Sequence, residues 1–264
     1  MPRRASHESF WPCIVEGMVD TAIIHILLVV FVAALIQSTF GFGQAIIAVP
    51  LLALTLPLKI VAPLVVLLSI TAGTIIVTQD WRHVHLRSVL WLLVPAFLGI
   101  PLGIELLTSP HPHILKAVLA IVIMVFAGTQ LLGKRPPALT SDSRPWLMGC
   151  GFLSGVMGGA FGMNGPPVVM YGAMRGWSPQ HFRATLQGFF LISSLVSMTG
   201  YWFAGLWVTA VTRDYLIAMC AALPAIFLGR VLNRRLRGDV FLKLAYSALG
   251  CIGALLLIQA VRGA

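Results

Sequence analysis

One stretch of the chain, from Gly155 to Tyr171, combines residues that a membrane helix ordinarily avoids. It reads GVMGGAFGMNGPPVVMY, so glycines, two adjacent prolines and Asn164 crowd together within an apolar segment. Proline removes a backbone N–H group and glycine has no side chain to favour helical angles, so we expect the helix to break here. A broken helix exposes N–H groups and the positive end of a helix dipole, which can bind an anion without any charged side chain.

A weaker copy of this pattern lies earlier, from Gln37 to Pro50, and reads QSTFGFGQAIIAVP. An ungapped alignment places Gly41 on Gly162 and Gly43 on Asn164, an offset of 162 − 41 = 121 residues in a chain of 264. Broken backbone at membrane depth is tolerated where it is buried in protein or lines a cavity. Interrupted segments at matching places in two halves are a sequence pointer to a transporter's binding site. The sequence therefore predicts two breaks that converge on one site.

The residues in and around the two breaks are the candidate site. In the second half, where Pro166 and Pro167 lack N–H groups, we expect the donors to come from Met163 to Gly165 and from the Asn164 amide. Arg183 could hold an oxyanion through two parallel hydrogen bonds. The predicted substrate-binding residues are Gln37, Gly41, Gly43, Gln44, Gly162, Met163, Asn164, Gly165, Arg183 and Gln187.

Each of these residues also has a structural interpretation. Glycines at small-x-x-x-small spacing, such as Gly151 and Gly155, let helices pack closely. Gln37 and Gln187 either line the path or bond neighbouring helices, and Arg183 is either a ligand or a solvated loop charge. Tandem proline is not needed for packing, which favours a binding site at the break itself.

Other candidate chemistry is sparse. Glu105 lies near the end of an apolar run, where an acid either couples transport to protons or sits at the membrane interface. His83, His85, His111 and His113 form two H-x-H pairs without the cysteine or acid partners of a zinc site, and the four cysteines form no C-x-x-C. We predict no metal site and no cofactor, and no catalytic motif supports an enzyme.

The composition specifies the elements that must position the site. With 58% hydrophobic and 10% charged residues, the chain is typical of an all-α integral membrane protein embedded in a lipid bilayer. The formal charge of +10 is spread over segment ends without a basic patch, which fits loop charges and disfavours nucleic-acid binding. About eight hydrophobic segments are predicted as two four-segment repeats, the first and fifth broken or re-entrant. The predicted parts are a tail (1–20), a first half (21–133), a linker (134–145) and a second half (146–264).

Loop charges bear on how the segments cross the membrane. If all eight segments cross, the 18 Lys and Arg residues divide evenly, which fits the positive-inside rule poorly. If the broken fifth segment returns to the side it entered from, 14 lie on the cytoplasmic side and 4 outside. The charges therefore favour an odd number of full crossings, with the second half inverted relative to the first.

At these residues the chain resembles the TauE/SafE family of membrane permeases, also called the sulfite exporter family. The resemblance rests on Gly41-Phe42-Gly43 followed by 47–52 (IAVPLL), on 161–167 (FGMNGPP), on Asp80-Trp81-Arg82 and on Arg183-Ala184-Thr185. The family often has glycine where this chain has Gln44-Ala45 and Asn164. The resemblance, which covers about residues 22–260, implies secondary transport of small anions such as sulfite, sulfonates or sulfur-containing carboxylates, across a bacterial inner membrane.

The functional hypothesis is a permease whose anion site lies between the broken segments and whose halves rock or gate against each other. An anion channel could use the same dipole-lined pore. A membrane subunit of an enzyme complex is a second alternative and would need a cofactor or metal. The sequence leaves a homo-oligomer open.

Overall fold

The chain folds into helices joined by short connections. The structure, a computed structural model, describes residues 10–80, 86–132, 144–176, 179–233 and 239–262, and these residues form helices and turns without any strand. The helices are α1 (Phe10–Phe40), α2 (Gln44–Leu52), α3 (Leu58–Asp80), α4 (Leu86–Thr108), α5 (Pro112–Leu131), α6 (Arg144–Phe161), α7 (Gly165–Met174), α8 (Pro179–Phe203), α9 (Thr209–Asn233) and α10 (Asp239–Arg262).

Five of these helices are long and apolar enough to cross a membrane. Within the described residues they cover Ala22–Phe40, Leu58–Thr78, Val89–Thr108, Pro112–Leu131 and Thr209–Val231. An α-helix of about 20 residues rises about 30 Å, the thickness of a bilayer's hydrocarbon core. The prediction of an all-α membrane protein is therefore confirmed. These five spans do not establish the finer prediction of eight segments in two repeats.

The helix is interrupted at both predicted places. α1 ends at Phe40 and α2 begins at Gln44, while α6 ends at Phe161 and α7 begins at Gly165. α2 has 9 residues and α7 has 10, so each rises only about 15 Å, roughly half the hydrocarbon thickness. At the other end of α1, the helix already starts at Phe10, so it includes half of the predicted N-terminal tail.

Two long helices, α4 and α6, pack backbone against backbone through glycines. A Cβ added to Gly155 would collide with the Ala96 carbonyl oxygen, and one added to Gly159 would collide with that of Ile100. A Cβ added to Gly99 or Gly103 of α4 would in turn strike backbone atoms of α6. We call these four residues the glycine seam. It matches the packing interpretation for Gly155, since small residues let membrane helices approach closely.

The remaining helices pack in pairs that join distant parts of the chain. α1 lies along α9, α5 along α10 and α3 along α8, while α4 also contacts α8 and α3 also contacts α9. Hydrogen bonds from Ser38 and Thr39 reach carbonyls of α9, from Ser38 Oγ to Ile226 O at 2.6 Å and from Thr39 Oγ1 to Gly229 O at 3.3 Å. This packing encloses α2 and α7, whose residues are mostly buried.

Candidate functional site

The first break, Gly41 to Gly43, reverses the chain with two left-handed glycines. Gly41 has φ 84° and Gly43 has φ 106°, a region that side chains disfavour. The Gly41 N–H donates to Gln37 O at 2.7 Å, which closes α1 with the single hydrogen bond of an αL cap. Gly43 then caps α2 without any side-chain hydrogen bond. The first N–H groups of α2 are therefore left for another partner.

The second break, Gly162 to Asn164, ends α6 in the same way. Gly162 has φ 68° and its N–H donates to Gly158 O at 2.9 Å. Asn164 is the cap of α7, which opens with Gly165 and two prolines. Prolines at the second and third helical positions break no hydrogen bond within the helix, because the N–H groups of the first turn have no partner there. The sequence thus starts a helix here while offering few backbone donors.

The two breaks meet at one small cavity, which we call the break cavity. Its walls come from both breaks and from the middles of α3 and α8, since Ser69 and Phe190 are each the twelfth residue of their helix. About 20 Å³ is open to the centre of a water molecule, enough for about one water. The lining residues are Gln37, Phe42, Gly43, Gln44, Ala45, Ile46, Ser69, Asn164, Gly165 and Phe190.

Hydrogen bonds with residues of two helices, α6 and α8, brace the second break. The Asn164 Nδ2 donates to Ser193 Oγ at 2.5 Å, and Ser193 Oγ donates to Phe189 O at 2.8 Å. Ser154 Oγ donates to the Asn164 carbonyl oxygen at 2.5 Å. The Tyr201 hydroxyl lies against the last turn of α6, 2.9 Å from Gly158 O and 2.8 Å from Gly159 O. Asn164 is 7% exposed and Tyr201 fully buried, so these bonds are shielded from water.

The first break has fewer partners. Gln187 of α8 donates its Nε2 to the Gly41 carbonyl oxygen. A carbonyl only accepts, so this contact fixes the amide's orientation and leaves the Gln187 Oε1 without a partner. The Oε1 atoms of Gln37 and Gln44 are buried and unpartnered as well. A buried polar atom without a partner costs about 1–3 kcal/mol, so such atoms need an explanation.

The predicted site residues fall into three groups. Gln37, Gly43, Gln44, Asn164 and Gly165 line the break cavity. Four others shape or brace the breaks, namely Gly41, Gly162, Met163 and Gln187.

Two predicted residues lie elsewhere in the molecule or outside its described part. The backbone of Arg183 belongs to α8, but its side chain lies outside the described residues. Glu105 is exposed near the end of α4 and does not line the cavity.

The predicted donors of the second break need a correction. The Met163 N–H donates to Met157 O at 3.2 Å, and the side chain is buried. The Asn164 amide N–H is bonded to Ser193. The Met163 N–H is therefore not a free donor in this conformation, and one of the two N–H groups of the Asn164 side-chain amide is already accepted by Ser193. The Gly165 N–H is a further donor at the start of α7, where the next two residues are prolines.

Sequence reasoning missed several polar residues that serve these breaks. Ser154 and Tyr201 are isolated polar groups in apolar helices, and their spacing to Gly158 is the only sequence signal.

Asp214 is the one buried charged side chain among the described residues, at 2% exposure, and it pairs with the exposed Arg213 at 3.1 Å. Sequence reasoning misses it because it precedes the apolar run that begins at Tyr215, whereas α9 already starts at Thr209.

The electrostatics of the break cavity suit a small anion. None of its lining residues is ionisable, so the field comes from backbone and amide dipoles. The N-terminal ends of α2 and α7 both reach it, and each helix N-terminus carries roughly half a positive charge. The side-chain amides of Gln37 and Gln44 can each add two N–H donors on rotation.

Multiple apolar helices with two interruptions that meet inside the bundle define a multi-pass helical membrane protein. A family model described as "Sulfite exporter TauE/SafE" matches residues 26–256, and the chain belongs to this family. The chain is thus a membrane transporter and not an enzyme, and it is placed in the bacterial inner membrane.

A curated relative extends this comparison. The chain is 24% identical over 225 residues to the "Probable sulfite/organosulfonate exporter TauE" of Cupriavidus necator, covering 84% of this chain and 88% of the relative. No solved structure matches the chain.

Proposed function

We propose that this protein is a secondary transporter for small oxyanions and that the break cavity is its substrate site. The observation that carries the proposal is the convergence of two helix N-termini on a cavity without ionisable side chains. Half-helix N-termini near the bilayer midplane bind anionic groups in several transporter folds. The substrate residues of this proposal are Gln37, Gly43, Gln44, Asn164 and Gly165.

The packing supports two related halves of five helices each. If α1–α5 are exchanged in order with α6–α10, the α1–α9 contact becomes the α6–α4 contact, which is also present. The α3–α9 contact likewise becomes the α8–α4 contact. The α3–α8, α5–α10 and α2–α7 contacts map onto themselves. This is the pattern expected of a two-fold axis that relates residues 21–133 to residues 146–264. The inverted orientation of the second half remains a prediction from the loop charges.

The size of the cavity bears on the mechanism. Room for about one water is too little for a sulfite or sulfonate ion, so the ion must enter in a different conformation. The unpartnered carbonyls of Gln37, Gln44 and Gln187 make this closed state locally unfavourable. A rearrangement that brings donors to these oxygens, and that turns the amide N–H groups of Gln37 and Gln44 toward a bound oxyanion, would relieve that cost. The proposed cycle therefore alternates between this closed state and open states.

The substrate class follows from the family resemblance and from the relative's name. That relative is described as a sulfite/organosulfonate exporter, and a three-oxygen anionic head fits donors that arrive from two directions. We therefore propose sulfite, sulfonates and related sulfur-containing carboxylates as substrates. In the same proposal Arg183, whose side chain lies outside the described residues, contributes positive charge for the anion, and Glu105 takes part in coupling.

Ligand-dependent thermal stabilisation of the purified protein tests the site. Sulfite, methanesulfonate, sulfoacetate and acetate would each be titrated against the wild type and the Gln44→Leu variant. At a hundredfold excess over Kd, a ligand stabilises the folded state by about 2.7 kcal/mol. We expect a saturable shift for sulfur oxyanions that Gln44→Leu removes, with Gln130→Leu at the far end of α5 as the matched control.

Transport in proteoliposomes separates the alternatives. When a proton gradient is imposed at zero membrane potential, a proton-coupled transporter accumulates sulfite against its own gradient, whereas a channel only equalises its concentration. Equal shifts for all anions, or a shift that survives Gln44→Leu, would contradict the site.

A further inference from the structure

A second and much larger cavity lies at the opposite end of α2 from the first break. It holds about 550 Å³, a volume typical of a small-molecule site. It is formed by the α2–α3 connection, the start of α3, the α4–α5 turn and the start of α5. We call it the lysine cavity, and its walls are Leu54, Thr55, Leu56, Pro57, Leu58, Lys59, Leu107, Ser109, Pro110, Pro112, His113, Leu115 and Lys116.

All of the charge on its walls is positive. Lys59 and Lys116 face it together with His113, and no carboxylate is among its lining residues. The Lys59 Nζ lies 3.4 Å from the Thr108 carbonyl oxygen, a weak contact, and no carboxylate of the described residues forms an ion pair with it. His113 and Lys116 are three residues apart in α5, so they share one helix face.

The positions of these lysines oppose the helix dipoles. Lys59 is the second residue of α3 and Lys116 the fifth of α5, and neither helix has an acid in its first turn. Cations are unfavourable near a helix N-terminus, where the dipole is already positive. Two helix starts and two lysines therefore concentrate positive potential on one cavity, and a bound anion would remove that repulsion.

The rest of the wall is apolar, which narrows the class of ligand. Leu107 and Leu115 are buried behind the lysines, and leucines and prolines form most of the remaining surface. A free inorganic anion gains nothing from such walls, whereas an acyl chain does. Basic pockets between transmembrane helices bind anionic lipid head groups. We propose that the lysine cavity binds an anionic phospholipid, with its phosphate between Lys59 and Lys116 and an acyl chain along the leucine wall.

Native mass spectrometry of the purified full-length protein tests this proposal. The protein would be titrated with phosphatidylglycerol, with phosphatidylcholine of the same chains, and with glycerol 3-phosphate, which has the phosphate without the acyl chains. We expect saturable binding of phosphatidylglycerol only. Removing a lysine near the membrane surface should weaken it about fivefold, and Lys59→Ala with Lys116→Ala about 25-fold.

The chain offers a matched control in its two other lysines, Lys134 and Lys243. Lys134→Ala with Lys243→Ala removes the same charge and should leave phosphatidylglycerol affinity unchanged. Equal binding of phosphatidylcholine would overturn the proposal in favour of a non-selective acyl groove, and saturation by glycerol 3-phosphate in favour of a free-anion site. If both double variants lose phosphatidylglycerol affinity equally, the binding is due to general surface charge and not to the lysine cavity. The lipid comparison on wild-type protein decides the matter even if a variant fails to fold, and its outcome is independent of the sulfite assay.

Discussion

The two helix breaks share a sequence pattern and differ in how they are held. At the second break, Asn164 is bonded to α6 and α8, and Tyr201 satisfies the last turn of α6. At the first break, one bond from Gln187 reaches Gly41, and three buried glutamine carbonyls have no partner. A fully bonded polar network is rigid, whereas an incompletely bonded one has low-cost alternatives. From this comparison we propose that the second break is a fixed support and that the first break is the part that adjusts to a ligand.

Among the residues of the two breaks, the largest effect on stability is expected at Gly162. Gly162→Ala places a side chain at φ 68° and brings its Cβ to 2.8 Å from the Ala62 carbonyl oxygen. The left-handed conformation alone costs about 1–2 kcal/mol, and the collision adds to it. We expect loss of most folded protein, measured by size-exclusion chromatography of detergent extracts.

Gly165→Ala is the matched control for that variant. Its Cβ would meet Ile46 at 3.6 Å, an ordinary contact, and its φ is not positive. Normal yield of Gly162→Ala, or equal losses from both variants, would contradict a fixed second break.

Tyr201→Phe tests the support itself. Removing the hydroxyl leaves the Gly158 and Gly159 carbonyls without this donor in a buried place, so we expect about 1–3 kcal/mol of lost stability. Transport per folded molecule should remain near the wild-type level. The thermal midpoint in detergent and sulfite uptake normalised to folded protein measure the two quantities.

Tyr215→Phe provides the comparison for the tyrosine variant. It removes a hydrogen bond of 2.7 Å to Thr71 in a half-buried place away from the breaks, so a smaller loss is expected. A Tyr201→Phe protein that is stable but inactive would show that the second break moves during transport.

A double-mutant cycle isolates the Asn164–Ser193 bond. Asn164→Ala and Ser193→Ala each remove one partner, and we expect a coupling free energy of about 1 kcal/mol between them. Unfolding of the four proteins under identical detergent conditions provides the values. Strict additivity would mean that this short contact contributes nothing to the support.

The smallest effect on stability, and the largest on function, is expected at the first break. Gln37→Leu and Gln44→Leu each remove a buried unpartnered carbonyl, so stability should be unchanged or rise by about 1 kcal/mol. Transport should fall by about tenfold or more, because a hydrogen bond to a charged ligand contributes about 1.5–3 kcal/mol. Variants that lose stability and keep transport would show that the first break is a support and not the part that adjusts to a ligand.

The sequence predicted the helix breaks because glycine and proline act locally. Left-handed angles at Gly41, Gly43 and Gly162 are consequences of missing side chains, and no distant residue is needed to expect them. The family resemblance added the class of protein in the same way, from residues along the chain.

The sequence did not predict which groups at the breaks are already bonded. Met163 and Asn164 looked like donors, yet their partners lie in other turns or helices, and Ser193 is 29 residues away from Asn164. Partner choice depends on how helices pack, which apolar periodicity does not encode. The same reason hides the lysine cavity, since Lys59 and Lys116 come to line one cavity only when the fold brings the starts of α3 and α5 to the same place.

The glycine seam between α4 and α6 constrains which parts of the molecule can move as units. α4 belongs to the first half of the chain and α6 to the second, and their backbones touch without intervening side chains. Such a joint cannot slide or hinge without opening a void. The α1–α9 contact ties the halves together again on the other side. For the proposed transport cycle we therefore expect rigid bodies that are each assembled from helices of both halves, with a moving boundary that does not follow the connector in the middle of the chain.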